Sequence, residues 1–185
     1  MIILPIVLVV LVIYVLSFYN RLKTADVQIT ASIQEIGNQL KRQADLIPNL
    51  LESAKAYLSH EKDIFTQLTD ARKAIGANNI EKSQDLINKA LGAIKVIVES
   101  NPEMKGADII ADMMNELRDT ADKIMYSRRT FIDLTADYNS AIVTFPNSIL
   151  AGLFKFTPKE GLKTPSTGEF LNVSSEDIKN PKIKY

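Results

Sequence analysis

The sequence predicts an all-α protein: an N-terminal transmembrane helix followed by an antiparallel up-and-down bundle of three to four long helices. Three observations carry that expectation. Residues 2–18 are apolar without a single charge. Beyond them apolar residues recur at alternating steps of four and three, the period of a packed helix. The body is rich in Ala, Leu, Ile, Lys, Glu, Gln and Asp and contains no tryptophan, a helix-forming mixture.

The apolar run would rise roughly 26 Å as a helix, close to what a ~30 Å hydrocarbon core requires. Tyr14, Phe18 and Tyr19 end it with rings suited to a lipid–water interface. Pro5 lies in the first turns, where a missing N–H costs least. A cleaved secretory signal is the competing reading. Such a signal begins with a basic segment and ends at a small-x-small site. No Lys or Arg precedes the run, and Ser17-Phe18-Tyr19-Asn20-Arg21 offers no such site. Residues 1–19 are therefore read as a retained signal-anchor, residues 20–156 as the bundle and residues 157–185 as an extended or disordered tail. Arg21 and Lys23 directly follow the apolar run. The positive-inside tendency then places the N-terminus outside and the bundle in the cytoplasm.

The first bundle helix is read from Ile29, Ile33, Ile36, Leu40, Gln43, Ile47, Leu50, Ala54, Tyr57, Glu61, Ile64, Leu68, Ala71 and Ile75. Only Gln43 and Glu61 are polar in that series. Leu46, Leu51, Leu58 and Phe65 widen the stripe beyond one neighbour. Pro48 would suit a turn between two helices, yet the apolar phase crosses it without a slip. One long kinked helix is the preferred reading. Gly76, Asn78 and Asn79 supply a stop and a new cap. A second helix of about residues 79–100 ends at Asn101-Pro102-Glu103, which opens the third. The third carries Ile110, Met114, Leu117, Ala121, Ile124, Arg128, Phe131, Thr135, Tyr138, Ile142, Phe145 and Ile149, and its phase continues through Pro146. Short links imply up-down-up packing. The end of the last helix then returns to the level of residues 25–35, just above the membrane. There residues 149–156 either rest on lipid or complete the bundle.

No constellation points to chemistry. Lys plus Arg and Asp plus Glu each total 22, so no net field draws nucleic acid or an anionic surface. His60, with Glu61 and Asp63 beside it, lacks the second histidine of a helical zinc site and reads as a surface residue. Asp108, Asp112, Glu116, Asp119 and Asp122 are spread over four turns with no Gly-centred loop and read as a solvated face. There is no cysteine to act as a nucleophile or disulfide partner, and no phosphate-binding glycine motif. Arg128 falls on the apolar seam. Its stem either packs while the guanidinium reaches water, or it pairs internally with Glu61 or Asp63. Tyr138-Asn139 and Pro48-Asn49 read as structural sites, where an amide can satisfy groups that a kink exposes. No catalytic, cofactor-binding or metal-ligating residue is assigned, no cofactor is expected, and an enzyme is the least favoured class.

Several strings stand together: Tyr19-Asn20-Arg21-Leu22, Leu40-Lys41-Arg42-Gln43-Ala44-Asp45-Leu46-Ile47-Pro48-Asn49-Leu50, Tyr57-x-x-His60-Glu61, Tyr138-Asn139, Phe145-Pro146-Asn147-Ser148-Ile149-Leu150-Ala151 and Pro181-Lys182-Ile183-Lys184-Tyr185. In these the chain resembles the LemA family. The resemblance implies a signal-anchor, an N-out topology and a cytoplasmic helical bundle at the bacterial inner membrane. Its four-helix descriptions imply a division of the long helix near Pro48. It also implies no established enzymatic activity; some relatives serve in magnetosome membrane formation and others in membrane-protein quality control. Ile33 stands where relatives often carry Trp, so packing near the membrane is expected to differ. The residues after Phe156 depart from the family's aromatic-acidic pattern.

The expected partners are the bilayer, through residues 2–18, and other membrane-associated proteins, including copies of this chain. A scaffold or adaptor is the leading expectation. Membrane remodelling by a homo-oligomer, with Phe154 and Phe156 as a wedge, is the second. A helical sensor is the third.

Overall fold

The computed structural model describes residues 3–55, 62–100 and 106–161, and every regular element in them is a helix. In chain order these are α1 (Ile3–Ala54), α2 (Lys62–Gly76), α3 (Ile80–Ser100), α4 (Ala107–Val143) and the short α5 (Asn147–Leu153). α1 packs chiefly on α4, and α2 chiefly on α3.

The helices alternate in direction, and the order of core residues along each one shows it. The largest apolar cluster joins Ile47, Leu50 and Ala54 of α1 to Ile64 and Leu68, Ile87 and Leu91, and Ile110 and Leu117. A small middle cluster holds Ile36, Leu40 and Ile124, with Ile75 and Ile80 packed on it. A third joins Phe18, Leu22 and Ile29 to Phe131, Tyr138, Ile142 and Ala151. α1 thus climbs through the three clusters and α4 descends through them. α2 comes back from Ile64 to Ile75, and α3 climbs again from Ile80.

This arrangement corrects the reading of one helix from Ile29 to Ile75 and of three helices packed up-down-up. A straight continuation would carry Ile75 roughly 30 Å past Ala54; instead Ile75 lies back beside Ile36 and Leu40. The division falls between Ala54 and Lys62, and α1 runs through Pro48 unbroken. Tyr57, Leu58, His60 and Glu61 lie outside the described residues, as does the Asn101-Pro102-Glu103 link.

The expected stop after α2 forms as read. Asn78 adopts a left-handed backbone at φ 56. The Asn79 N–H reaches the Ala74 carbonyl at 2.9 Å and the Asn78 N–H the Ile75 carbonyl at 2.9 Å, closing α2. Asn79 then caps α3, its Oδ1 accepting from the Lys82 N–H at 3.1 Å.

Pro146 does break its helix, contrary to the reading of an uninterrupted third helix. α4 ends at Val143, Thr144 is extended with ψ 142, and the Phe145–Pro146 peptide is cis. A residue preceding proline is disfavoured in the α region, which agrees with termination here.

Two polar layers separate the three clusters. Ser32 and Ser127 lie between the lower and middle clusters. They occupy the seam in place of Ile33, which is 53% exposed, and of Arg128. Gln43, Ser83 and Thr120, all fully buried, lie between the middle and upper clusters. Gln43 and Gln84 exchange side-chain amide bonds at 2.9 and 3.4 Å, and the Gln43 Nε2 also donates to Thr120 Oγ1 at 3.3 Å. This network bridges α1, α3 and α4 at one level.

Removing a buried partner leaves others unsatisfied at roughly 1–3 kcal/mol. Gln43→Ala should therefore lower the unfolding free energy of the full chain by about that amount, read from urea denaturation. An unchanged midpoint would show that the amide layer contributes nothing to stability.

Candidate functional site: the junction of anchor and bundle

α1 crosses from the apolar run into the bundle without interruption, so the first bundle residues are rigidly continuous with that run. Residues 3–13 are exposed throughout. α1 is the one described helix long and apolar enough to cross a membrane. Burial begins at Phe18 and Leu22.

The descending chain meets α1 lower than the expected level of residues 25–35. The Tyr14 hydroxyl donates to Asn147 Oδ1, and Ala151 of α5 joins the cluster around Phe18 and Leu22. α5 then closes with Lys155 in the left-handed region at φ 56. The Phe156 N–H bonds the Ala151 carbonyl at 2.9 Å and the Lys155 N–H the Gly152 carbonyl at 3.2 Å. That reversal drives Phe156 back into the junction. Its ring lies 6.4 Å from Phe18, 5.7 Å from Tyr19 and 6.5 Å from Tyr138, the contacts with Phe18 and Tyr138 being edge-on. Phe154 stands 5.2 Å from Tyr19. Such edge contacts suit the ring quadrupole. These two phenylalanines complete the bundle end.

Beyond Phe156 the chain is held as a strap on α4. The Asn139 Nδ2 donates to the Lys159 carbonyl at 2.9 Å, and the Lys159 N–H donates to Asn139 Oδ1 at 2.8 Å. The side-chain amide thus substitutes for a backbone partner. Asn139 is structural, as read from sequence, but it serves the strap and not groups that a kink exposes. Lys159 also bonds Asp26 of α1 at 2.6 Å and lies 5.8 Å from the Tyr138 ring centre. Lys23 sits over the rings of Tyr19 and Phe156 at 5.7 and 5.5 Å. The hydrogen bond with Asp26 raises the Lys159 pKa above its ordinary 10.5, although burial opposes the charge. Burial raises the Tyr138 pKa, so the phenol stays neutral.

A second feature lies where α2 and α3 turn round and leave α1 and α4 to continue downward alone. An open groove of about 780 Å³ is lined there by Ile80, Gln84, Met125, Tyr126, Arg128 and Ile132, among others. Met125 and Tyr126 are exposed, and the Arg128 guanidinium reaches outward to Glu81 at 3.9 Å. Among the described residues Arg128 therefore pairs with Glu81 and not with Asp63, while Glu61 lies outside them. Arg129 faces Asp133 at 3.9 Å. Of the acidic series, Glu116 pairs with Arg42 at 2.5 Å and Asp119 with Lys123 at 2.7 Å. Asp108, Asp112 and Asp122 are exposed.

A long apolar helix continuous with an all-helical bundle defines a membrane-associated helical protein. Residues 32–176 match the LemA family, and the chain belongs to that family. Over 80 residues it is also 35% identical to magnetosome protein MamQ of Magnetospirillum gryphiswaldense. That stretch covers 43% of this chain but only 29% of the relative's length.

Reading the sequence picked out Tyr138, Asn139, Phe154 and Phe156, and the structure gathers all four. It gave no signal for Asp26 or Lys159, whose pairing depends on chain reversals far apart in sequence.

Asn139→Ala should free the strap, speeding hydrogen exchange at the Lys159 amide while leaving the Gln43 level protected. Exchange unchanged at Lys159 would count against the clasp. A lysine held charged by its folded partner stabilises the fold fully below its unfolded pKa and loses that contribution as pH rises through its higher folded pKa. The destabilisation caused by Asp26→Asn, measured by denaturant titration, should therefore be present at neutral pH. It should fade in strongly alkaline buffer, above the ordinary 10.5 of lysine.

Proposed function

We propose that this protein is a membrane-tethered scaffold that works by binding and not by catalysis. It holds other membrane-associated proteins, copies of itself included, beside the bacterial inner membrane, with its bundle in the cytoplasm. The observation that carries this reading is the groove below the α2–α3 turn. Exposed Met125, Tyr126 and Ile132 there form an apolar face bordered by Glu81, Asp122, Arg128 and Arg129. An apolar centre with a charged rim is the composition of a protein contact. Arg21 and Lys23, next to the apolar run, support the orientation.

A photoreactive side chain at Tyr126 of the full-length protein in native membranes should give a discrete adduct. Ile132→Asp should abolish it, and the same probe at Val96 on α3 should give none. A monomer free of adducts under these conditions would rule out the groove as a docking face.

Membrane shaping is the second reading. What favours it is the apolar outer side of α5, together with a relative that is a magnetosome protein.

A further inference from the structure

We propose that α5 and the turn before it form a second lipid contact, an interfacial wedge seated in the same leaflet through which α1 leaves the membrane. The inference rests on α1 spanning the bilayer, and does not require the groove to bind a partner.

The first charged residue of α1 is Arg21, so the polar side of the interface lies near it. Seven residues of helix separate Tyr14 from Arg21, roughly 10 Å along the axis. Because Tyr14 hydrogen-bonds Asn147, the start of α5 lies that far toward the lipid side of Arg21. The descending chain is composed for such a place. No charged residue occurs between Asp137 and Lys155. Four large apolar residues face outward, Val143 being 67% exposed, Phe145 82%, Ile149 65% and Leu153 72%, with the hydroxyls of Ser140 and Thr144 the exposed polar groups beside them. A face this apolar, continuous with a membrane-spanning helix, is explained by lipid.

Backbone chemistry agrees in part, three of the N–H groups around the turn being bonded within the protein. A non-helical turn in lipid requires its amide groups to be satisfied within the protein. Thr144 donates to the Ser140 carbonyl at 3.1 Å, Ser148 to Thr144 at 2.8 Å and Ile149 to Pro146 at 3.3 Å. Pro146 has no N–H to satisfy. Charge returns on the water side, where Lys23 sits over Phe156, Lys155 precedes that ring in the chain and Lys159 is paired with Asp26. The wedge residues are therefore Val143, Phe145, Ile149 and Leu153. Phe154 and Phe156, the pair expected from sequence, are engaged with Tyr19.

The chain has no cysteine, so single substitutions label cleanly. Full-length Val10→Cys, Phe145→Cys, Ile149→Cys and Val96→Cys, each carrying an environment-sensitive fluorophore, would be reconstituted into phosphatidylethanolamine–phosphatidylglycerol vesicles. Nitroxide-bearing lipids should quench the labels at positions 10, 145 and 149 and spare that at 96. Quenching at position 10, with 145 and 149 as bright as 96, would overturn the wedge and leave the anchor standing. A bright label at position 10 would overturn the spanning helix, and the wedge with it. Neither outcome bears on the groove, which the Tyr126 crosslink tests separately.

Discussion

The antiparallel seam between α1 and α4 is the constraint on which the rest depends. It is the largest helix–helix contact and passes through all three apolar clusters. Because α4 descends the full described length of the bundle, its end arrives beside the apolar run. Tyr14 then meets Asn147, and the rings of Phe18, Tyr19, Tyr138 and Phe156 can gather. A shorter α4 would leave the strap, the aromatic junction and α5 without a platform. The α2–α3 hairpin only fills the upper part of this frame. Its lowest core residues, Ile75 and Ile80, stop at the middle cluster, and the groove opens below them.

Much of this was legible in the residues, and the errors have physical causes. Apolar phase correctly marked Ile29, Ile36, Leu40, Ile47, Leu50 and Ala54 as one buried face. It then ran on to Ile64 and Leu68 as though the helix continued. Periodicity reports which face is buried and says nothing about chain direction. A helix that doubles back onto the same core keeps the apolar rhythm while reversing its course. The alternation of fours and threes was also ambiguous by one position. Ile33 and Ser32 each satisfy a step from Ile29 to Ile36, and burial selected the small hydroxyl. Ser32 meets its own polarity by bonding the Gln28 carbonyl at 2.9 Å.

The two interior prolines behaved differently for a reason visible in their neighbours. Pro48 is flanked by Ile47 and Leu50, only 1% and 0% exposed, and packing on both sides holds the helix through the lost hydrogen bond. Pro146 follows exposed Val143, Thr144 and Phe145, where no tertiary contact offsets the same local preference. Local chemistry was alike at both sites, and burial decided between them. The junction was the least legible part, because Asp26, Asn139 and Lys159 become neighbours only after every reversal of the chain has been made.

The drop from four helices to two below Ile75 and Ile80 has a mechanical consequence. Resistance to bending grows steeply with cross-section, so a lateral force on the upper bundle would concentrate its strain in the slender stalk. Ser32 and Ser127 lie in that stalk, and a layer of small side chains resists flexure less than interlocked leucines would. The upper bundle can therefore lean like a lamp on a narrow neck while the aromatic collar keeps its foot fixed.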